Sequence, residues 1–294
     1  MLLTFTFSLV GVWAARMAAH FFILKGLRAP RIAAQMSPES LGLSALPVYI
    51  PGPNGKTLFA WFVPAPGVSP APAVLVMHGW GANASMMLPS VVPLSGAGFA
   101  VFVLDARCHG ASGDEAFTSL PRFAQDIEAG LDWLAQQPQV DASRLAVIGH
   151  SVGAGAALLS ATRRDDIRAV VSISAFAHPF EVMRRLLASH HIPYFGVGWY
   201  VMRYVQHVIG AKFDDIAPIR SIGQVRCPVL LVHGWDDDLV PFEDARRLSA
   251  AGLEGRVQLL PVAGRHDPSE ALSAEPSELL LFLTEQLHVP VVPD

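Results

Sequence analysis

The chain of 294 residues has few cysteines, few charged residues and no large excess of either charge. Its two cysteines, Cys108 and Cys227, lie far apart and fit neither a zinc-site nor a redox spacing, so we expect two core residues. The net charge of −4 gives no electrostatic reason to expect a nucleic-acid partner. Only 16% of the residues are charged and 52% are hydrophobic, which indicates a large core, a membrane segment or both.

The N-terminus lacks the positive charge that precedes the apolar run of a cleaved signal peptide. An apolar run opens the chain and ends at Leu24, interrupted by Arg16 and His20. A helix of about 20 apolar residues can cross a bilayer. We therefore predict an N-terminal hydrophobic segment over residues 1–30, in which residues 2–24 form a transmembrane helix that anchors the protein to a membrane.

Basic residues follow this predicted span, and the positive-inside rule then places the bulk of the chain in the cytoplasm. Two other interpretations of the segment stay open: a helix packed on the protein or at the membrane interface, and a cleaved signal peptide. The alternative localisation is a soluble cytoplasmic protein.

Seven short apolar runs, each followed by turn residues, predict buried strands. Several of them do not alternate polar and apolar residues, which is typical of a parallel sheet covered by helices on both faces. Helical segments lie between them, so the sequence predicts an α/β fold with right-handed crossovers. The predicted strands are TLFAWFV (57–63), AVLVMHG (73–79), FAVFVLD (99–105), RLAVIGH (144–150), RAVVSIS (168–174), PVLLVHG (228–234) and VQLLPVA (257–263).

One of these helical segments lies between Ser119 and Pro138 and carries apolar residues at helical spacing from Phe123 to Leu134. This spacing predicts one buried helix face. Asp126 and Glu128 are on the same segment, and we expect both on its solvated side.

Residues 176–222 contain no strand signal and are rich in aromatic side chains. The segment is too long for a simple connection between two elements. We interpret it as a helical insertion that forms a lid. Its adjacent histidines, His190 and His191, point apart on a helix and have no acidic partner at a suitable spacing, so we expect no metal there.

The stretch VIGHSVGAG places Ser151 between Gly149 and Gly153, where a predicted strand gives way to a small-residue helix. A G-x-S-x-G sequence in this context is typical of a nucleophile elbow, a turn so tight that the residues flanking the serine must be small. The serine hydroxyl is then exposed at a helix N-terminus, where negative charge is stabilised. We predict Ser151 as a catalytic nucleophile.

A nucleophilic serine needs a base and a carboxylate that orients the base. His266 follows the last predicted strand, which makes it the candidate base. Three neighbours, Asp236, Asp237 and Asp238, follow the preceding strand. Their spacing alone does not separate them as candidates for the acid.

Acyl transfer also needs two N–H donors for the oxyanion. The backbone amide of Val152, directly after the nucleophile, is one candidate. The loop HGWGA after an early strand supplies the other through the amide of Trp80, because Gly79 and Gly81 allow a close approach of the backbone.

With these residues in place, the chain resembles the α/β-hydrolase superfamily, in its serine-esterase and peptidase-like branch with a helical lid. The resemblance covers about residues 45–290. It implies a mostly parallel twisted sheet flanked by helices, with the lid of residues 176–222 inserted before the strand that carries the acid. Laid over HGWDDDLVP, the acid motif of the family selects Asp237. The motifs are HGWG (78–81), DARCHGAS (105–112), GHSVG (149–153), HGWDDDLVP (233–241) and GRHD (264–267).

We therefore expect a serine hydrolase of the carboxylic-ester type that forms an acyl-enzyme on Ser151, with His266 as base and Asp237 as acid. The residues of the DARCHGAS turn are usually structural in the family, and we expect the same here. Neither a metal nor a cofactor is required. The expected substrate is a small ester with an apolar acyl group. An acyl-thioesterase or a peptidase with the same triad, or a non-catalytic binding protein, are the alternatives.

Overall fold

The computed structural model describes residues 2–67, 69–266 and 276–288. Its strands are β1 (Leu46–Pro51), β2 (Thr57–Val63), β3 (Ala71–Met77), β4 (Ala100–Leu104), β5 (Val140–His150), β6 (Ile167–Ile173), β7 (Val229–Gly234) and β8 (Val257–Val262). The α-helices of the described residues are α1 (Leu2–Gly26), α2 (Ala84–Gly96), α3 (Leu120–Ala135), α4 (Val152–Ala161), α5 (Pro179–Ser189), α6 (Trp199–Ile209), α7 (Pro218–Ile222), α8 (Phe242–Ala251) and α9 (Pro276–Gln286).

The strands form one sheet in the order β1-β2-β4-β3-β5-β6-β7-β8. Strand β2 pairs antiparallel with β1 and β4, and every other pair is parallel. The carboxyl ends are in register, since Met77 lies opposite Gly149 and Gly149 opposite Ser172. The predicted mostly parallel sheet is confirmed, and all seven predicted runs are strands. Residues that follow the parallel strands β3 to β8 therefore meet at one edge of the sheet.

The first strand lies outside the seven apolar runs that predict strands. In the structure β1 lies at the edge of the sheet and pairs only with β2. It contains Pro47 and Pro51, which an edge strand tolerates because half of its backbone groups need no partner in the sheet. Only the antiparallel contact with β2 identifies this segment as a strand.

The sheet separates two apolar layers. Along β4, Phe102 faces the layer that contains α3, and its neighbour Val101 faces the layer that contains α2. The predicted face of α3 is fully buried, from Phe123 to Leu134. Both faces of the central strands are thus covered, which explains why their sequences do not alternate.

The surface position expected for Asp126 is wrong. Asp126 is fully buried and accepts hydrogen bonds from Arg107, from the backbone N–H at 2.8 Å and from Nε at 2.7 Å. Burial raises the pKa of Asp126 to about 7, and the charge and hydrogen bonds of Arg107 oppose that rise. Glu128 is half-buried and pairs with Arg163 at 3.2 Å. Arg107, the partner of Asp126, follows β4, so the periodicity of α3 could not predict this ion pair.

The predicted transmembrane helix in residues 2–24 is also wrong, because no helix among the described residues combines the length and apolarity needed to cross a membrane. Arg16 and His20 lie within α1, and His20 contacts the protein instead. Its ring stacks on Tyr204 of α6 at 3.7 Å between centroids, and its Nε2 lies 2.6 Å from the hydroxyl of Tyr200. The membrane localisation and the membrane as a partner lose their support with this helix.

Residues 176–222 connect β6 to β7 and contain α5, α6 and α7. Met202 and Val205 of α6 are buried in the core layer, whereas Phe195 is 89% exposed. The segment is therefore fixed to the body by one face of α6 and presents aromatic surface elsewhere. Movement of this segment over the site, as a lid, stays a prediction.

The buried face of α3 gives a stability prediction. Leu131 is fully buried, and we expect Leu131→Ala to lower the free energy of unfolding by about 2–5 kcal/mol because it leaves a cavity. The matched control is Leu186→Ala on α5, a residue that is 50% exposed, for which we expect a change within about 0.5 kcal/mol. Urea-induced unfolding measures both, and equal losses would contradict this description of the core.

Candidate active site

Ser151 forms a sharp turn between β5 and α4. Its φ of 53° and ψ of −114° lie in a region that is strained for a residue with a Cβ. A Cβ added to Gly149 would lie 2.2 Å from the carbonyl oxygen of Gly153, and one added to Gly153 would lie 2.4 Å from that of His78. Glycine is therefore required at both positions, because helix, strand and neighbouring loop approach each other here without room for a side chain.

The three side chains predicted as a catalytic triad are hydrogen-bonded in series. His266 Nε2 lies 3.0 Å from Ser151 Oγ, and His266 Nδ1 lies 2.8 Å from Asp237 Oδ2. Since a carboxylate only accepts hydrogen bonds, Nδ1 carries the proton and Nε2 is free to accept the proton of the serine. This arrangement is suited to activating a hydroxyl as a nucleophile.

The carboxylate of Asp237 is held ionised. Its Oδ1 accepts the backbone N–H groups of Leu239 at 3.0 Å and Val240 at 2.8 Å. Burial alone would raise the pKa of Asp237, but the hydrogen bonds from His233 and His266, with that from Val240, outweigh burial and lower the pKa well below its usual range. Asp237 therefore stays an anion that can orient His266 and stabilise its protonated form.

The other two aspartates of this loop are exposed and point elsewhere. The carboxylate of Asp238 lies 3.9 Å from the guanidinium of Arg265, and the Asp236 amide donates to the carbonyl of Gly264 at 3.1 Å. Of the three neighbours that spacing left open, the structure brings Asp237 to His266.

One contact joins the loop of Asp237 to the loop of His266, and a second joins the loop of His266 to the elbow. A Cβ on Gly234 would lie 2.3 Å from the carbonyl oxygen of Gly264, so the ends of β7 and β8 are in backbone contact. His150 Nε2 donates to the backbone carbonyl of His266 at 2.7 Å, and the two rings lie 4.9 Å apart. The sequence did not predict that His150 of the GHSVG motif also holds the loop of His266. Its only signal was a polar ring directly before the serine.

The loop after β3 lies directly beside Ser151. A Cβ added to Gly79 would lie 3.2 Å from the Cβ of Ser151. Within the described part of the chain, the amides of Trp80 and Val152 have no hydrogen-bond acceptor. The two amides predicted as oxyanion donors are thus without an acceptor in this part of the chain, and their role as oxyanion donors stays a prediction.

Two buried histidines hold this loop. His78 donates from Nδ1 to the carbonyl of Gly79 at 2.7 Å and accepts the N–H of Ala106 at Nε2. His109 accepts the N–H of Gly81 at Nε2, 3.1 Å away, and its Nδ1 lies on a backbone carbonyl. Burial lowers the pKa of each histidine to about 4, and in His109 the nearby His78 adds to the effect. Both rings are neutral at pH 7, as their acceptor roles require.

The turn after β4 has the structural role expected from the resemblance. Asp105 accepts the N–H of Ala84 at 2.6 Å, which fixes the start of α2, and the N–H of Ala111 at 2.8 Å. A Cβ on Gly110 would lie 1.9 Å from a carboxylate oxygen of Asp105, so the turn closes tightly on this side chain. The turn thereby positions His109 under the loop of Gly81.

The described residues contain no cluster of three or more histidine, cysteine or acidic side chains that could hold a metal ion. His190 and His191 are exposed at the end of α5. The ring of His190 is engaged locally, with Nδ1 at 3.0 Å from the carbonyl of Leu186.

The neutral histidines predict acid lability. As the pH falls from 6.5 to about 4, the unfolded chain binds protons at these two positions that the folded chain excludes, so the contribution of the histidines to stability is lost through this window. One such histidine accounts for about 3 kcal/mol of this loss. In His109→Gln one of these titrations is gone, and we expect the unfolding free energy to fall less between pH 6.5 and 4, measured by urea unfolding. An identical pH dependence in both proteins would contradict the role given to His109.

Known proteins resemble this chain in sequence and in structure. A sequence model of the family described as serine aminopeptidase, S33, matches residues 68–205. An uncharacterised protein of Mycobacterium tuberculosis is 32% identical over 216 residues, which cover 73% of this chain and 70% of the relative.

The solved structures that resemble it include an esterase of Pyrococcus furiosus, Pf2001, at a TM-score of 0.69 and 22% identity, covering 88% of this chain and 98% of that one. Est1E from Butyrivibrio proteoclasticus gives a TM-score of 0.66 at 22% identity, covering 83% and 100% of the two chains. At this identity the likeness concerns the fold. Together with the sequence matches it confirms the predicted fold, and the chain belongs to the α/β-hydrolase superfamily.

Proposed function

We propose that the protein is a serine hydrolase that cleaves carboxylic esters through an acyl-enzyme on Ser151. The observation that carries the proposal is the unbroken series of hydrogen bonds from Ser151 Oγ through His266 to Asp237. The unengaged amides of Trp80 and Val152 beside the serine support it. A non-catalytic binding protein would have no need of all of these groups in this geometry.

In the first half-reaction, Ser151 Oγ bonds to the acyl carbon of the ester while His266 Nε2 takes the hydroxyl proton. The carbonyl oxygen becomes an oxyanion that receives hydrogen bonds from the amides of Trp80 and Val152. The bond between the acyl carbon and the alcohol oxygen then breaks, and His266 returns its proton to the departing alcohol. Asp237 stabilises the protonated His266 throughout and stays ionised, because its pKa is low.

In the second half-reaction, water replaces the alcohol. His266 takes a proton from the water as its oxygen bonds to the acyl carbon, and the bond to Ser151 Oγ breaks. The serine recovers its proton from His266, and a carboxylic acid leaves. No other group is needed to balance either step.

The surface near the site favours an ester with an apolar acyl group. Trp80 is 38% exposed beside the proposed oxyanion site, and Trp235 is 52% exposed at the start of the loop that carries Asp237. These indole side chains offer apolar contact to an acyl chain entering between the two loops. The match to a serine aminopeptidase family favours a second candidate, a peptidase with the same triad.

The role of Ser151 is tested with p-nitrophenyl esters from acetate to palmitate, using the full-length chain. We expect Ser151→Ala to lower kcat by more than about 10⁴-fold, because the nucleophile is lost. The matched control is Ser160→Ala, which alters a buried serine of α4. Among the described residues, the hydroxyl of Ser160 donates only to the carbonyl of Ala124. The kcat of this control should stay within about twofold of the wild type.

Turnover by the Ser151 variant at the wild-type rate would contradict the proposed nucleophile. If amino-acid p-nitroanilides are cleaved by the wild type and esters are not, the peptidase candidate replaces the esterase. The chain length of the best ester measures the depth of the acyl site.

The identity of the acid is tested by three single substitutions. We expect Asp237→Asn to lower kcat by about 10³–10⁴-fold, because an amide at this position no longer selects the tautomer of His266 that accepts a proton. Asp236→Asn and Asp238→Asn alter exposed side chains of the same loop and should change kcat by less than about twofold. If either control lost most of its kcat while Asp237→Asn stayed active, the assignment of Asp237 as the acid would be contradicted.

A further inference from the structure

Residues 30–36 follow α1 in the chain and contact both the loop after β3 and the turn after β4. We name these residues the N-terminal strap. Asn83, which caps α2, donates from Nδ2 to the strap carbonyls of Ile32 at 2.9 Å and Ala33 at 3.2 Å. The strap is therefore fixed to the end of the loop that carries Trp80. The segment precedes residues 45–290, over which the chain resembles the α/β-hydrolase superfamily.

Arg31 is the side chain through which the strap grips the turn after β4. Its Nη1 donates to the backbone carbonyls of Gly110 at 2.5 Å and Ser112 at 2.9 Å, with that of His109 at 3.4 Å. Its Nη2 lies 3.4 Å from Asp114. One guanidinium thus gathers three carbonyl oxygens that would otherwise repel each other, which pins the conformation of the turn.

The pinned turn holds the loop beside the serine. His109 accepts the N–H of Gly81, and Gly81 has a φ of 70°, so its conformation is one that other residues adopt with strain. On its other side, a Cβ on Gly81 would lie 3.1 Å from Cγ of Pro30. Gly81, the residue directly after Trp80, is therefore held between His109 and the strap.

We propose that Arg31 is a positioning residue that fixes the Trp80 amide where the oxyanion develops. It acts through the turn, then His109, then Gly81, and it does not touch the substrate. The inference rests on the proposed function and deepens it. Because an oxyanion donor stabilises the transition state more than the bound ester, a loosened donor lowers kcat and leaves KM nearly unchanged.

The test compares Arg31→Ala with Arg28→Ala in the full-length chain. Arg28 is exposed and, among the described residues, its side chain pairs only with Asp114, at 3.1 Å. Arg28→Ala therefore removes a neighbouring positive charge but leaves the contacts of Arg31 with the turn in place. With p-nitrophenyl butyrate we expect Arg31→Ala to lose about tenfold or more in kcat with KM within about twofold. Arg28→Ala should keep both parameters within about twofold of the wild type.

A second readout does not depend on turnover. Phenylboronic acid binds a catalytic serine as a tetrahedral anion that resembles the transition state. Its inhibition constant should rise in Arg31→Ala in proportion to the loss of kcat. A purely structural role of Arg31 would instead lower the fraction of folded enzyme, which leaves the inhibition constant of the remaining enzyme unchanged.

Two further variants keep the test decisive if Arg31→Ala folds poorly. Arg31→Lys keeps the charge and one donor nitrogen, but it lacks the planar guanidinium in which Nη2, beside Asp114, orients Nη1 toward the carbonyls, so it should recover only part of kcat. Asn83→Asp keeps the oxygen that accepts the Ser85 N–H and caps α2, and it removes the Nδ2 donor to the strap. Because Asn83 is buried, the new carboxylate oxygen also repels the two strap carbonyls, so this variant is assessed by the inhibition constant of phenylboronic acid, which does not depend on the folded fraction and should rise as in Arg31→Ala.

Arg31→Ala with the kcat and boronate affinity of Arg28→Ala would overturn the inference and leave the proposed function intact. Equal loss in both arginine variants would overturn it as well, since charge alone would then explain the effect. A wild-type chain without turnover that depends on Ser151 would instead contradict the proposed function itself.

Discussion

The close approach of backbone around Ser151 is the constraint on which the rest of the site depends. Gly149 contacts the backbone of Gly153, and Gly153 contacts that of His78, so strand β5, helix α4 and the loop after β3 meet without intervening side chains. Any Cβ at these glycines would push the three elements apart. The strained φ of Ser151 is tolerated because the parallel sheet on one side and the buried helix α4 on the other hold the turn in place.

Around this turn, buried polar groups hold the loops in place. Neutral His78 and His109 accept backbone N–H groups, and Asp105 and Asp126 accept others, all of them almost fully buried. Each acceptor offsets the desolvation of a loop amide that has no partner in a strand or helix. The amides of Trp80 and Val152 differ because they have no acceptor among the described residues. This contrast between satisfied and available donors supports the proposed acyl-transfer chemistry.

Much of the fold could be predicted because its signals are local. The seven buried strands are short apolar runs bounded by turn residues, and the face of α3 repeats at helical spacing. Three features escaped because their cause is a distant partner. Strand β1 exists through its pairing with β2, Asp126 is buried through Arg107, and α1 packs on α6 through His20. Local sequence patterns alone predict no strand before residue 57, a solvated position for Asp126 and a membrane span for α1.

The sequence by itself determined the elbow at Ser151 and the chain order of the proposed nucleophile, acid and base, because a tight strand-to-helix turn restricts its residues wherever it occurs. The tertiary structure brings Asp237, which spacing alone did not separate from its two neighbours, to His266, and only the tertiary structure shows that residues 30–36 contact the loop beside the serine. These contacts join residues 29 to 81 positions apart in the chain. Their distances depend on strand register and loop conformation, which no local pattern of residues encodes.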